Sequence, residues 1–162
     1  MSVYDIPFQT MDGQTTSLAP YRDGPILVVN VASRCGLAPQ YETLERLQRT
    51  YGDRGLTVIA FPSNQFHQEL RDNAAVLEFC SLTYGVTFPV MDRVRVNGRD
   101  THPLYVALKQ TPDSQGKAGR VTWNFEKFLV LPGGETHRFR PRTLPDAPEI
   151  ITLIEQSLHT TT

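Results

Sequence analysis

Apolar and polar positions change period several times along the chain, and each change predicts a structural element. Pro25 to Ala32 reads as continuously apolar rather than alternating, which is expected of a strand covered on both faces of a sheet, and so of a central strand. After Ser33-Arg34-Cys35-Gly36, Tyr41, Leu44, Leu47 and Tyr51 recur at helical spacing, and Pro39 suits the first turn of that helix. Leu56 to Phe61 is a second β-rich run, entered through Gly55 and ended by Pro62. It is predicted to lie parallel to the first across the intervening helix, giving a βαβ unit.

Around this unit the signals are shorter. Val3 to Thr10 and Thr15 to Leu18 flank Asp12-Gly13, a dipeptide suited to the positive-φ geometry of a tight hairpin. Asp72 is placed to cap a helix whose apolar stripe is Val76, Phe79, Cys80 and Thr83, ending near Gly85. His102 to Gln110 reads as a short helix and Thr111 to Arg120 as a polar loop. Phe125 to Leu131 and Glu135 to Arg140 flank Pro132-Gly133-Gly134 as an antiparallel hairpin. In the last helix Asp146 and Glu149 have the spacing of an acidic capping box, and Ile150, Leu153, Ile154 and Leu158 form one stripe. The order is that of an α/β fold. With no linker, repeat or low-complexity segment, residues 1–162 are expected to form a single domain.

Composition narrows the function. Hydrophobic residues make up 40% and charged residues 20% of 162, as in ordinary soluble globular proteins. Sixteen Lys and Arg against 17 Asp and Glu give a formal charge of −1, and no basic block could neutralise a run of phosphates, so nucleic acid is not an expected partner. Ile26 to Ala32 is the longest strongly apolar run, far short of the roughly 20 residues that cross a bilayer. Met1 to Asp5 has neither a basic nor an apolar leader region, so a cytoplasmic location and no stable membrane association are expected. Cys35 and Cys80 are too few for a disulfide scaffold and too isolated for a structural zinc site.

Cys35 follows a predicted buried strand and precedes a predicted helix, where unpaired N–H groups and the helix dipole favour a thiolate. Position alone leaves a buried, inert cysteine equally open. Cys80, on an apolar stripe, would by itself be read as filling space.

Three segments add to this. Asn30-Val31-Ala32-Ser33-Arg34-Cys35-Gly36-Leu37-Ala38-Pro39-Gln40-Tyr41 resembles the peroxidatic segment of glutathione peroxidases, in which cysteine or selenocysteine holds the place of Cys35. Phe61-Pro62-Ser63-Asn64-Gln65-Phe66 and Trp123-Asn124-Phe125-Glu126-Lys127-Phe128-Leu129-Val130 resemble the second and third signatures of that family, in the same order. The resemblance implies a thioredoxin-like fold, a central mixed sheet flanked by helices with an N-terminal hairpin. It also implies reduction of hydrogen peroxide and lipid hydroperoxides by Cys35, with Gln65, Trp123 and Asn124 as N–H donors to the thiolate and the peroxide oxygen. Read without it, Trp123 would be a core aromatic and Gln65 and Asn124 turn residues.

By the same resemblance Cys80 is the resolving cysteine, forming a Cys35–Cys80 disulfide that thioredoxin, or glutathione in its place, reduces. No metal or bound organic cofactor is implied, and the short stretch between Asn97 and Val121 implies a monomer. The chain departs from the family pattern at His67, where a glycine is usual after Asn64-Gln65-Phe66, and at Ser63, where several relatives carry a further cysteine. Arg93, Arg95 and Lys117 are scattered cations to which no role is assigned. A redox sensor that relays oxidation to a partner by disulfide exchange would use the same two cysteines. A copper chaperone would need a second cysteine where Pro39 stands.

Overall fold

The computed structural model describes residues 2–32, 37–63, 75 and 85–158. A four-stranded mixed sheet runs in the order β4-β3-β5-β6, built from β3 (Ile26–Val31), β4 (Thr57–Pro62), β5 (Lys127–Val130) and β6 (Thr136–Phe139). β3 pairs parallel with β4, Val29 opposite Ala60, and antiparallel with β5, Val29 opposite Lys127. β5 in turn pairs antiparallel with β6. The continuous apolar run is thus an interior strand, with all six residues buried as a two-sided cover requires.

Alternate residues of each strand serve different cores. Leu27, Val29 and Val31 of β3, with Val58, Ala60 and Leu129, pack under α1 (Gln40–Tyr51) and α3 (Pro148–Ser157), whose Tyr41, Leu44, Leu47, Ile150 and Ile154 close that side. Ile26 and Val28, with Ile59, Phe61, Phe128 and Val130, face α2 (Pro103–Leu108) and the N-terminal hairpin. There Phe8, Phe61, Tyr105 and Phe128 form a chain of edge-to-face rings at centroid distances of 5.0, 5.9 and 6.0 Å. Among the described residues no helix is long and apolar enough to cross a membrane.

Among the described residues the expected elements form, with three corrections. The N-terminal hairpin pairs only β1 (Phe8–Gln9) with β2 (Thr15–Thr16), because Ser2 Oγ accepts from the Tyr4 N–H and turns Val3–Asp5 into a 3-10 helix. Its turn is longer than a two-residue one: Thr10 donates to the Gln14 carbonyl, with Gly13 at φ +87°. The capping box at Asp146 and Glu149 does not form. Ala147 is the N-cap and makes no side-chain bond, while Asp146 pairs at 2.9 Å with Arg46 of α1, a surface pair that joins the two helices. The short helix is trimmed to Pro103–Leu108, with His102 Nδ1 accepting from the Leu104 N–H. The helix expected around Val76, Phe79, Cys80 and Thr83, capped by Asp72, lies outside the described residues.

Candidate active site at the end of the central strand

Parallel strands β3 and β4 end side by side, with the Ser63 N–H donating to the Val31 carbonyl at 3.1 Å. Residues 33–36 connect this edge to α1, which begins at Gln40, and residue 64 follows Ser63. β5 runs antiparallel to β3, so its entry loop, Trp123 to Glu126, arrives at the same edge. Ligand sites of open α/β sheets collect at the carboxyl ends of parallel strands, where loops and helix N-termini converge.

Asn30 fixes that loop. Buried within the apolar run, its Nδ2 donates to the Trp123 carbonyl at 3.2 Å and its Oδ1 accepts from the Glu126 N–H at 3.1 Å. Its backbone carbonyl accepts from the Phe125 N–H at 2.6 Å. Phe125 sits at φ +66°, in the left-handed region that a bulky residue occupies only when its surroundings impose it. Here those surroundings are the clamp by Asn30 and an edge-to-face contact with Tyr41 of α1 at 5.2 Å. Asn124 is fully buried, and Trp123 is half-buried against the core beneath α1 and α3. The structure therefore brings two of the expected site residues, Trp123 and Asn124, to the edge that Ala32 and Ser63 also reach. Cys35, Gln65, Cys80 and His67 lie outside the described residues.

Behind the loop lie two buried charges that the sequence pattern does not announce. Lys127 is fully buried, and its Nζ donates to the carbonyls of Phe125 at 2.7 Å and Pro141 at 3.0 Å. Burial pushes its ammonium down to about 7, with Glu126 opposing. On the other face of β5, Glu126 accepts from Arg138 Nε at 2.6 Å and from Arg140 Nη1 at 3.0 Å, with its Arg138 Nη2 contact closer still. Burial lowers the Arg138 pKa, opposed by Glu126. Arg138 also donates to the carbonyls of Lys109, Thr111, Gly119 and Arg120, so this one ion cluster fastens the polar loop to the sheet.

A cavity of about 760 Å³ opens between β6, the start of α3 and Asp113–Gln115. Arg140 on its wall donates to Asp113, Glu126 and the carbonyls of Arg120 and Lys117, so its charge is already matched by two carboxylates of the protein. Its bond partner Asp113, which also accepts from the Lys117 and Gln115 N–H groups, is held down to about 2.

Lys127 gives a pH dependence with a definite sign. The unfolded chain holds this proton up to 10.5 and the folded one only to about 7. The unfolded state therefore binds more protons between those values, and stability rises with pH across that window. The expected contribution is at most about 1.4 kcal/mol per pH unit. Denaturant unfolding at pH 7 and pH 9 should show this rise in the wild type and not in Lys127→Met. A slope equal in both would show that the buried amine does not titrate there.

Comparison with known proteins agrees with the geometry. The glutathione peroxidase family model matches residues 3–109. A glutathione peroxidase of Lactococcus lactis subsp. cremoris is 43% identical over 152 residues, 92% of this chain and 96% of that protein. The thioredoxin/glutathione peroxidase BtuE of Escherichia coli is 38% identical over 178 residues, 97% of each chain. Among solved structures, T. cruzi GPX1 superposes with a TM-score of 0.76 at 32% identity, covering 97% of this chain and 96% of that one.

Proposed function

Because the chain belongs to the glutathione peroxidase family, we propose that it reduces hydrogen peroxide and organic hydroperoxides with Cys35 as the attacking sulfur and a thiol as reductant. Residues 1–162 work as one thioredoxin-like domain and as a monomer. The observation that carries the reading is the clamped Trp123–Asn124 turn at the edge where the chain leaves β3 toward Cys35.

The Cys35 thiolate attacks one oxygen of ROOH, and the O–O bond breaks. The departing oxygen takes a proton and leaves as ROH, while the sulfur is oxidised to sulfenic acid. Gln65, Trp123 and Asn124 contribute N–H donors that hold the thiolate and steady the charge growing on the leaving oxygen, without offering a rival nucleophile. The Cys80 thiol then condenses with the sulfenic acid, releasing water and forming the Cys35–Cys80 disulfide. A thioredoxin dithiol restores both thiols by exchange, giving up two electrons. The relative named for both thioredoxin and glutathione supports a dithiol reductant, as does the presence of Cys80.

A coupled peroxide assay with thioredoxin and its reductase, run beside glutathione, tests the cycle. Wild type should turn over steadily with thioredoxin. Cys80→Ser should consume about one peroxide per chain and then stall as sulfenic acid. Sustained thioredoxin-driven turnover by Cys80→Ser would remove Cys80 from the cycle.

A further inference from the structure

We infer that Lys127 is a positioning residue for the Trp123–Asn124 turn, bracing it from the side opposite Asn30 and tying it to the first residue of α1. The kinetic consequence rests on the peroxidase reading above; the structural one does not.

Phe125 is the pivot. Its left-handed conformation at φ +66° carries the chain from the Trp123–Asn124 turn into β5, and a bulky residue keeps that conformation only where neighbours hold it. Its N–H is fixed by the Asn30 carbonyl at 2.6 Å, and its own carbonyl is fixed by Lys127 Nζ at 2.7 Å. Thus the two ends of one strained residue are held by two different strands, β3 and β5. Lys127 reaches further, since the same Nζ donates to the Pro141 carbonyl at 3.0 Å, and that carbonyl also accepts from Gln40 Nε2 at 2.9 Å. Through these bonds the turn, the segment after β6 and the start of α1 share one node.

Filling the space does not explain a lysine here. By strand parity its side chain lies on the side of Val29 and Leu129, within the core under α1 and α3, where leucine or methionine would pack without desolvating an amine. Among the described residues no carboxylate accepts from it, and the Glu126 oxygens are engaged on the opposite face by Arg138 and Arg140. The stem of Lys127 delivers N–H groups to two carbonyls that strand pairing leaves open, and these two bonds are what an apolar residue would lose. Among the described residues, Tyr41 of α1 packs on Phe125, and His137 and Glu149 lie farther out along the cavity.

Trp123 is the single tryptophan, so its emission reports on the turn directly. The experiment compares wild type, Lys127→Met and Lys127→Arg, each first checked for folding by circular dichroism. In Lys127→Met, Trp123 emission should shift and acrylamide quenching should rise about twofold, while the second-order rate of hydrogen peroxide with the reduced protein should fall about tenfold, as expected for a small misplacement of site groups. Reduction of the disulfide by thioredoxin should be unaffected, and Lys127→Arg, which keeps a charged donor, should recover part of the peroxide rate. A folded Lys127→Met with wild-type emission and quenching overturns the inference, and so does one whose emission moves while the peroxide rate stays. If Lys127→Met does not fold, Lys127→Arg decides: emission and peroxide rate lying between wild type and background support it, and wild-type values of both overturn it. If the wild type itself fails to reduce peroxide, the peroxidase reading falls, and emission and quenching alone decide the role of Lys127.

Discussion

Replacing Cys35 with serine is expected to bring peroxide consumption down to the background of reductant and peroxide alone, with the fold intact. A thiolate is the nucleophile in this chemistry, and a serine hydroxyl is neither ionised at neutral pH nor able to stop at a reducible oxidised state. The turn at Trp123 and Asn124 is fixed by Asn30 and Lys127, none of which needs the sulfur, so thermal unfolding of Cys35→Ser should match the reduced wild type. Turnover retained by Cys35→Ser at more than a trace would mean that another group reduces the peroxide.

The largest expected stability effect lies elsewhere, at Glu126. Glu126→Gln keeps the shape but leaves Arg138, whose side chain is fully buried, and Arg140 without their shared counter-charge. Removing one partner of a buried ion pair costs about 3–5 kcal/mol, because the other charge stays desolvated. The four carbonyls around Arg138 offset a part, so a loss near the lower end is expected, about 6–12 °C in melting temperature for a chain of this size. The double variant Glu126→Gln/Arg138→Met should be markedly less unstable than the sum of the singles, since it removes the stranded cation. A single-variant loss below about 1 kcal/mol would show that the cluster is solvated and contributes little.

What could be read in advance follows a physical divide. Elements specified by their own period were legible: Ile26–Val31 as an interior strand, the Tyr41, Leu44 and Leu47 stripe of α1, and the hairpin around Gly133 and Gly134, which take φ of +94° and +97°. Elements decided by partners distant in the chain were not. Asn30 passes as one polar residue in an apolar run, because the groups it clamps are 93 and 96 positions away. Lys127 and Glu126 look like surface residues of a hairpin strand until Pro141, Arg138 and Arg140 are seen beside them. Asp146 has the spacing of a cap, yet Arg46, 100 positions earlier, takes its carboxylate. Of the site itself, Trp123 and Asn124 lie at the edge where β3 and β4 end, while the parts given to them and to Cys35, Gln65 and Cys80 rest on the motifs, the last three lying outside the described residues.

The most direct measurement adds one equivalent of hydrogen peroxide to the fully reduced protein, followed by intact-mass analysis and peptide mapping after alkylation. Oxidation through Cys35 should yield a chain lighter by two hydrogen atoms, with the Cys35 and Cys80 peptides cross-linked and neither thiol open to alkylation. A chain of unchanged mass with Cys35 still fully alkylatable, or one that gains oxygen only at its methionines, would contradict it.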